Sequence, residues 1–241
     1  MDLFGDAIAE ALGLLLSLDG YIVEILLRSI QVSGGALLVA TLVGIPAGVL
    51  LAVARFPGRR LLIALTYTGF ALPPVVIGLV VYMLFSREGP VGAMEMLFSP
   101  TVMVVAQAFL AAPYVAGISL AAVQAVPPDV RLQARALGAG DVRALWMHLR
   151  EARLGILAAI IAGFGAVISE VGAAMMVGGN IVGETRVLTT AIVLETRRGN
   201  FETAMALGII LLGIVLAVNL LLTRVQQGPV WGRAVTERPW A

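Results

Sequence analysis

The sequence predicts an all-α membrane protein, a polytopic bundle of five transmembrane helices, or six if the first 20 residues also cross. Of the 241 residues, 60% are hydrophobic and only 13% are charged, whereas soluble domains carry about 25% charged residues. The mean hydropathy is +0.99. The apolar stretches are long and lack the alternating pattern of a membrane β-barrel, so only helices fit them. This composition largely excludes soluble enzymes and DNA-binding proteins.

Five apolar stretches are predicted to be spans, because a helix needs about 20 apolar residues to cross the hydrocarbon. Their approximate bounds are 29–54, 61–85, 101–125, 154–177 and 203–222. The second contains Pro73 and Pro74, which are expected to kink it near its cytoplasmic third. The fourth contains a single charged residue, Glu170.

The first 20 residues differ from these spans. Their apolar run is short and carries Asp2, Asp6 and Glu10, with no basic segment before it. A cleaved signal peptide is therefore not expected. We predict a helix over 1–20 that lies at the membrane interface, with a tilted sixth crossing as the alternative.

The arginines predict the orientation, because cytoplasmic loops carry an excess of basic residues. With five spans, one side receives eleven of the 16 basic residues: Arg55, Arg59, Arg60, Arg131, Arg135, Arg143, Arg150, Arg153, Arg224, Arg233 and Arg238. That side is predicted to be cytoplasmic. The loop 126–153 and the tail 223–241 then face the cytoplasm, and the segment 178–202 faces outward.

The loop 126–153 is predicted to form two short amphipathic helices. Pro127 and Pro128 end the preceding span, and Asp129 stands where it can cap a first helix. Gly138 ends that helix, and Asp141 can cap a second. Apolar residues recur at helical spacing in both: Val130, Ala134 and Leu137, then Val142, Leu145, Trp146 and Leu149. Periodicity leaves open whether these helices rest on anionic lipid or contact a protein.

Several kinds of chemistry are excluded. The chain has no cysteine and one histidine, so thiolate sites and histidine-rich metal sites are not expected. It has no phosphate-binding GxxxxGK[ST] loop, and its spans hold no paired carboxylates or serine–lysine pair. A net charge of +1 argues against a nucleic-acid partner. We expect no catalytic residue, metal or cofactor in this chain.

The outward segment 178–202 and the end of the fourth span supply the candidate pathway residues. Glu170 is the only ionisable residue well inside a predicted span, so it is a candidate by default. A carboxylate would repel an anion, so it is expected to hold a gate through an arginine or backbone donors, or to join helices. Hydroxyls and arginines of 178–202 suggest a vestibule for an oxyanion, with an amphipathic helix on the span ends as the alternative. The pathway or gate candidates are Ser169, Glu170, Asn180, Thr185 and Arg186.

The loop 126–153 resembles the cytoplasmic loop of permeases in type I ATP-binding-cassette importers. In that family, a pattern of EAA, three residues and glycine inserts a coupling helix into the ATPase. Here the run from Leu132 to Gly138 stands at that place, with Leu132 at the glutamate position and Gln133 at the first alanine position. The resemblance implies an ATPase-coupling surface made of Gln133, Ala134, Arg135, Ala136, Leu137, Gly138 and Asp141.

Residues 72–92, 149–181 and 185–212 resemble the permeases of tungstate-uptake systems, which are related to molybdate and sulfate permeases. The run ISEVGAAMMVGGNI, followed by TRVLTTAI, carries most of this likeness. It implies the type I importer fold and a homodimer that works by alternating access with ATPase subunits and an extracytoplasmic oxyanion-binding protein. Molybdate or sulfate is the alternative substrate. A membrane scaffold or interaction protein is the alternative of another class.

Overall fold

The computed structural model describes residues 20–226 and, before them, residues 5, 8, 9, 12 and 13. The predicted interfacial helix 1–20 and the tail from 227 onward therefore lie outside the described residues, apart from those five positions. Between residues 20 and 226 the chain forms ten α-helices: α1 Gly20–Val53, α2 Arg59–Thr68, α3 Pro74–Phe85, α4 Pro100–Ala125, α5 Asp129–Ala136, α6 Asp141–Glu151, α7 Arg153–Ile168, α8 Gly172–Gly178, α9 Leu188–Arg198 and α10 Phe201–Gln226.

Three of these helices, α1, α4 and α10, are each long and apolar enough to cross a membrane alone. Two further candidate spans arise if each of two bent helix pairs is one span. The described part therefore has three to five candidate spans. The all-helical, polytopic fold expected from composition is confirmed, and the sixth crossing falls on residues outside the described part.

The first helix begins earlier than predicted. The expected span started at residue 29, whereas α1 has 34 residues and contains Arg28 and Gln31. The predicted start of the span was the first residue of the apolar stretch. The helix itself begins earlier, because its backbone hydrogen bonds continue through polar residues whose side chains have partners. Arg28 donates to Gln31 Oε1 of the same helix at 3.0 Å and to the Gly183 carbonyl of the segment 178–187 at 3.2 Å, so its charge is solvated by polar atoms.

The predicted second span, 61–85, is broken rather than kinked. Helix α2 with the short 3-10 turn Gly69–Ala71 forms one arm, α3 forms the other, and the two are bent by 104°. Pro73 is the extended residue before α3 and Pro74 is its first residue. Proline lacks an amide proton and forces the preceding residue out of helical conformation, so two in a row separate the arms.

The predicted fourth span, 154–177, is also interrupted. Helix α7 ends at Ile168, and α8 restarts at Gly172 after a break of three residues. Glu170 stands in this break and is 7% exposed. Its Oε1 accepts a hydrogen bond from the Ala173 amide at 2.8 Å, in the first turn of α8. The Glu170 carboxylate therefore satisfies a backbone amide at the start of α8.

Helices α1 and α4 form the central pair of the bundle. Gly44 and Gly48 of α1 lie directly against α4, and a Cβ at Gly44 would stand 3.0 Å from the Ala112 carbonyl oxygen. A Cβ at Gly48 would meet the Ala116 carbonyl oxygen even more closely. Small residues four apart allow two backbones to approach within a membrane, and this contact fixes α1 against α4.

Both helices of this pair run the same way, and they define two ends of the bundle. At one end, Val49 near the end of α1 packs in a cluster with Val123 and Val126 at the end of α4, together with Ala152. At the other end, the Phe98 amide just before α4 donates to the Val177 carbonyl of α8 at 3.0 Å. The helix pair α5–α6 lies at the first end, and the segment 178–187 lies at the second.

Candidate functional site

The first candidate site is the helix pair α5–α6 with the bend between them, residues 129–151, which we call the elbow. Helix α5 ends in a Schellman motif, in which the Gly138 amide donates to Arg135 O and the Ala139 amide donates to Ala134 O, both at 2.9 Å. Gly138 has a φ of +87°, a conformation that costs any L-residue. This glycine sets the direction in which α6 leaves.

The two aspartates of the elbow do not act as the predicted caps. Pro128 and Gly140 occupy the capping positions, and neither Asp129 nor Asp141 makes a side-chain cap. Both lie in the first helical turn, where a carboxylate is favoured by the helix dipole. Asp141 instead forms an ion pair with Arg135 across the bend, at 2.7 Å.

Three of the seven residues of the predicted apolar stripe of the elbow, Leu137, Val142 and Trp146, are exposed in the single chain, as is the neighbouring Leu132. Ala134 is buried, but Leu137 is 86% exposed and Val142 is 84% exposed. Trp146 and Leu132 are also exposed, at 66% and 60%. Exposed apolar side chains concentrated on one element indicate a surface that contacts another molecule.

His148 attaches the elbow to the bundle, a role that was not predicted from the sequence. Its imidazole is 6% exposed, and Nε2 lies 3.1 Å from the Val123 carbonyl oxygen near the end of α4. Around it, the cluster of Val123, Val126 and Ala152 is packed by residues of α1, α5 and α7. Ala144 and His148 are both buried and lie four residues apart. This spacing places them on one face of α6 and could have indicated that His148 faces the bundle.

The second candidate site is a buried polar network over the segment 178–190. Thr185, fully buried, donates to the Gly178 carbonyl and accepts from the Ile181 amide at 2.9 Å. Thr190 joins the Val187 backbone at the start of α9. These side chains close the segment into a compact turn, because hydroxyls satisfy backbone groups that no helix pairs.

Arg186 anchors this turn to α1. Its guanidinium, 9% exposed, donates from Nε to Asn180 Oδ1 at 3.1 Å and from Nη2 to the Asn180 carbonyl at 3.2 Å. Nη1 donates to the Tyr21 hydroxyl at 2.6 Å, and the guanidinium lies 5.9 Å from the centre of the Tyr21 ring. Among the described residues no carboxylate lies within ion-pair distance of it, so a buried positive charge is held by neutral partners.

Two further contacts join the network to the rest of the chain. The Leu188 amide donates to Ser29 Oγ of α1 at 2.8 Å. Thr189 Oγ1 donates to the Glu170 carbonyl at 2.9 Å, which links α9 to the break before α8. The predicted residues Asn180, Thr185 and Arg186 thus share contacts within the segment 178–186, and Glu170 is joined to the adjoining helix α9 through Thr189. Ser169 is exposed, and its hydroxyl donates to the Gly165 carbonyl at the end of α7.

A small polar cavity lies between α1, α4 and α9. Its volume is about 10 Å³, and its lining includes Ser29, Ser33, Gln107 and Thr189. That volume is about the space one water molecule needs. Across the described part of the chain, no group of three or more histidine or acidic residues is placed to hold a metal ion.

The chain matches the protein family described as the binding-protein-dependent transport system inner membrane component over residues 44–228. It is 44% identical over 206 residues to a probable anion ABC transporter permease protein of Haloferax volcanii, which covers 83% of this chain and 89% of that protein. It is 35% identical over 227 residues to the tungstate uptake system permease protein TupB of Peptoclostridium acidaminophilum, which covers 94% of this chain and all of that protein.

Among solved structures, a chain of the MetNI methionine ABC transporter in an inward-facing conformation has a TM-score of 0.71 and 20% sequence identity. The alignment covers 88% of this chain and 97% of that one. This last likeness concerns the fold alone.

Proposed function

This chain belongs to the family of inner membrane components of binding-protein-dependent transport systems, and from that premise we propose that it is the permease of an ATP-driven tungstate importer. It is a transport subunit of the membrane. The proposal of tungstate as the substrate rests on the 35% identity to a tungstate uptake permease over nearly the whole chain. The likeness to an anion permease at 44% identity supports the broader class, an oxyanion.

The import of such an anion needs an external source of energy. Moving a dianion into a cell with a negative interior costs about 5 kcal/mol per 100 mV, before any concentration gradient. The sequence lacks a nucleotide-binding loop of the GxxxxGK[ST] type. We therefore assign ATP hydrolysis to separate ATPase subunits and a non-catalytic role to this chain, while an extracytoplasmic binding protein delivers the anion.

The elbow is the proposed contact with the ATPase. Its exposed apolar side chains, above all Leu137 and Val142, support a protein partner, because such surface is unfavourable in water. The coupling set expected from the sequence, Gln133 to Gly138 with Asp141, spans the bend. A shift of the elbow would reach α4 through His148 and would reach α1 and α7 through the apolar cluster behind it.

The translocation route is proposed to lie between two copies of the chain. The cavity lined by Ser29, Ser33, Gln107 and Thr189, about 10 Å³, suits a single water molecule and not a five-atom oxyanion. A route through this cavity would need the packed core to open, whereas the interface of a homodimer can separate without unpacking it. The homodimer is the assembly that the resemblance implies.

The network residues are proposed to line the outward mouth of that route. Arg186 is a buried cation whose partners are all neutral among the described residues, so it gives this end a positive potential that favours an anion. Glu170 is satisfied by the backbone of α8, which supports a role in holding the break at 169–171 rather than in binding substrate.

The proposed orientation follows from the arginines. The elbow end has many of them, so it is assigned to the cytoplasm, and the network end is assigned to the outside. Residues of the long helices exposed in a single chain, such as Leu38, Leu42 and Leu212, are proposed to face membrane lipid or the second copy. The net charge of +1 argues against a nucleic-acid partner.

The test is transport in proteoliposomes that contain this permease with the ATPase and binding protein encoded beside it. We expect ATP-dependent accumulation of tungstate, which excess molybdate inhibits more than excess sulfate does. A preparation without the ATPase is the control and should take up nothing. The absence of ATP-dependent tungstate uptake by the complete system would contradict the proposal, and stronger inhibition by sulfate would reassign the substrate.

A further inference from the structure

A surface groove of about 490 Å³ separates the last part of α1 from helices α6 and α7. Its floor is apolar and consists of Ile45, Val49, Leu149 and Ile156. Its remaining lining residues are Trp146, Arg150 and Arg153. The groove thus combines an apolar floor with an aromatic ring and two cations.

One end of the groove lies at the depth of the membrane hydrocarbon, and the other end lies at the depth of the lipid headgroups. Ile45 stands eight residues before the end of α1 at Val53, which corresponds to about 12 Å along the helix. Because α1 is a candidate span, this part of the floor belongs at hydrocarbon depth. Arg150 and Arg153 flank the junction of α6 and α7, at the elbow end, where a span leaves the membrane.

The charged residues among the described lining residues of the groove are both arginines. Arg150 and Arg153 are exposed. Guanidinium groups bind phosphate through paired charged hydrogen bonds. Basic pockets between spanning helices on the cytoplasmic side bind anionic lipid headgroups, and tryptophan is enriched at the same level of the bilayer.

We propose that this groove binds one anionic phospholipid. The phosphate lies on Arg150 and Arg153, and an acyl chain follows the floor along Ile45 and Val49. A free phosphate ion would use the arginines but would leave the apolar floor unfilled, so the floor selects a lipid. The site does not depend on which anion is transported, so it stands or falls separately from the proposed function.

Trp146 is a reporter within the site. The other two tryptophans, Trp231 and Trp240, can be replaced by phenylalanine, which leaves Trp146 as the single tryptophan of the full chain, excited selectively at wavelengths longer than those tyrosine absorbs. The protein is reconstituted in phosphatidylcholine bilayers with increasing fractions of phosphatidylglycerol brominated on its acyl chains. Brominated phosphatidylcholine is the parallel series.

We expect brominated phosphatidylglycerol to quench Trp146 at a fraction about thirtyfold lower than brominated phosphatidylcholine, since the two arginines each contribute about 1 kcal/mol with an anionic lipid. Arg150→Gln combined with Arg153→Gln should abolish this preference. Arg143→Gln, an exposed arginine on the same helix outside the groove, should keep it. Inorganic phosphate should not reverse the quenching.

Three outcomes would overturn the proposal. Equal quenching by the two lipids would mean that the groove does not read headgroup charge, and a preference that survives the double variant would place the lipid elsewhere. No quenching by either lipid would mean that protein covers the groove, either a second copy or an ATPase. The emission maximum of Trp146 in the double variant should match that of the parent, which shows that the groove still folds.

Discussion

The two ends of the bundle are held together by different forces. At the network end, buried hydroxyls and a guanidinium satisfy backbone groups of the segment 178–190, as Thr185 and Arg186 illustrate. At the elbow end, the elbow rests on an apolar cluster, with the His148–Val123 hydrogen bond as its buried polar tie. Directional bonds fix a geometry, whereas apolar contacts allow sliding. The network end is therefore expected to stay rigid while the elbow end moves.

The largest expected effect is on stability, at the network end. Thr185→Val keeps the shape of the side chain but leaves the Ile181 amide and the Gly178 carbonyl without their partner. Leaving the buried Gly178 carbonyl unsatisfied and losing the part-buried bond to the Ile181 amide together cost about 2–4 kcal/mol, so the melting temperature in detergent should fall by several degrees. Thr196→Val is the control, because Thr196 is exposed and bonds only to the Ile192 carbonyl of its own helix. Equal melting temperatures for both variants would show that the network is not rigidly required.

The second effect is on coupling, at the elbow. Gly138→Val places a β-branched residue at φ +87°, which costs about 1–3 kcal/mol and reorients α6. Coupled uptake should fall at least about tenfold, with less ATPase co-purified. Gly140→Val is the matched control, since Gly140 has a φ of −65° and open space around its missing Cβ. If both variants transport equally, the bend does not depend on the left-handed glycine.

A third, smaller effect tests the tie between the elbow and the bundle. His148→Leu removes the donor to the Val123 carbonyl, a loss of about 1 kcal/mol. We expect the number of anions moved per ATP hydrolysed to fall several-fold, while the ATPase still binds. His148→Gln retains an N–H donor and should restore part of the coupling. A stoichiometry unchanged in His148→Leu would mean that motion passes through the apolar cluster alone.

The smallest effect concerns the ion pair across the bend. Arg135 and Asp141 have side chains that are 56% and 84% exposed, and exposed pairs contribute about 0–1 kcal/mol. Asp141→Asn should therefore change coupled uptake by less than about threefold in low salt and by still less in high salt. A loss as large as that of Gly138→Val would show that the pair, and not the glycine backbone, holds the elbow.

The sequence predicts the start of α4 and the helix ends of the elbow, because their signals are local. Pro100 follows Ser99, whose hydroxyl accepts from the Val102 amide at 3.4 Å, so the third predicted span and α4 begin at nearly the same residue. The glycines and prolines of the elbow likewise mark helix ends where they stand.

The breaks and the network could not be predicted in the same way. Two prolines indicate an interruption between α2 and α3, but the 104° bend depends on tertiary packing. The break at Glu170 lies in an otherwise continuous apolar stretch. The contact of Arg186 with Tyr21 joins residues 165 positions apart, and no local pattern reveals such a pairing. The partners Ser29, which is buried, and Tyr21, which is exposed, are therefore missing from the predicted site.

The central claim is that motion from the ATPase enters through the elbow while the network stays fixed against α4. The chain has no cysteine, so spin labels can be placed at Leu137 in the elbow, at Val182 in the outward turn and at Phe109 of α4 as the reference. All three positions are exposed. Pulsed electron paramagnetic resonance on the assembled transporter, with labelled chains diluted in unlabelled ones, compares the nucleotide-free and vanadate-trapped states. We predict that the distance between the labels at Leu137 and Phe109 changes and that the distance between the labels at Val182 and Phe109 does not. A constant Leu137–Phe109 distance together with a changed Val182–Phe109 distance would contradict the central claim.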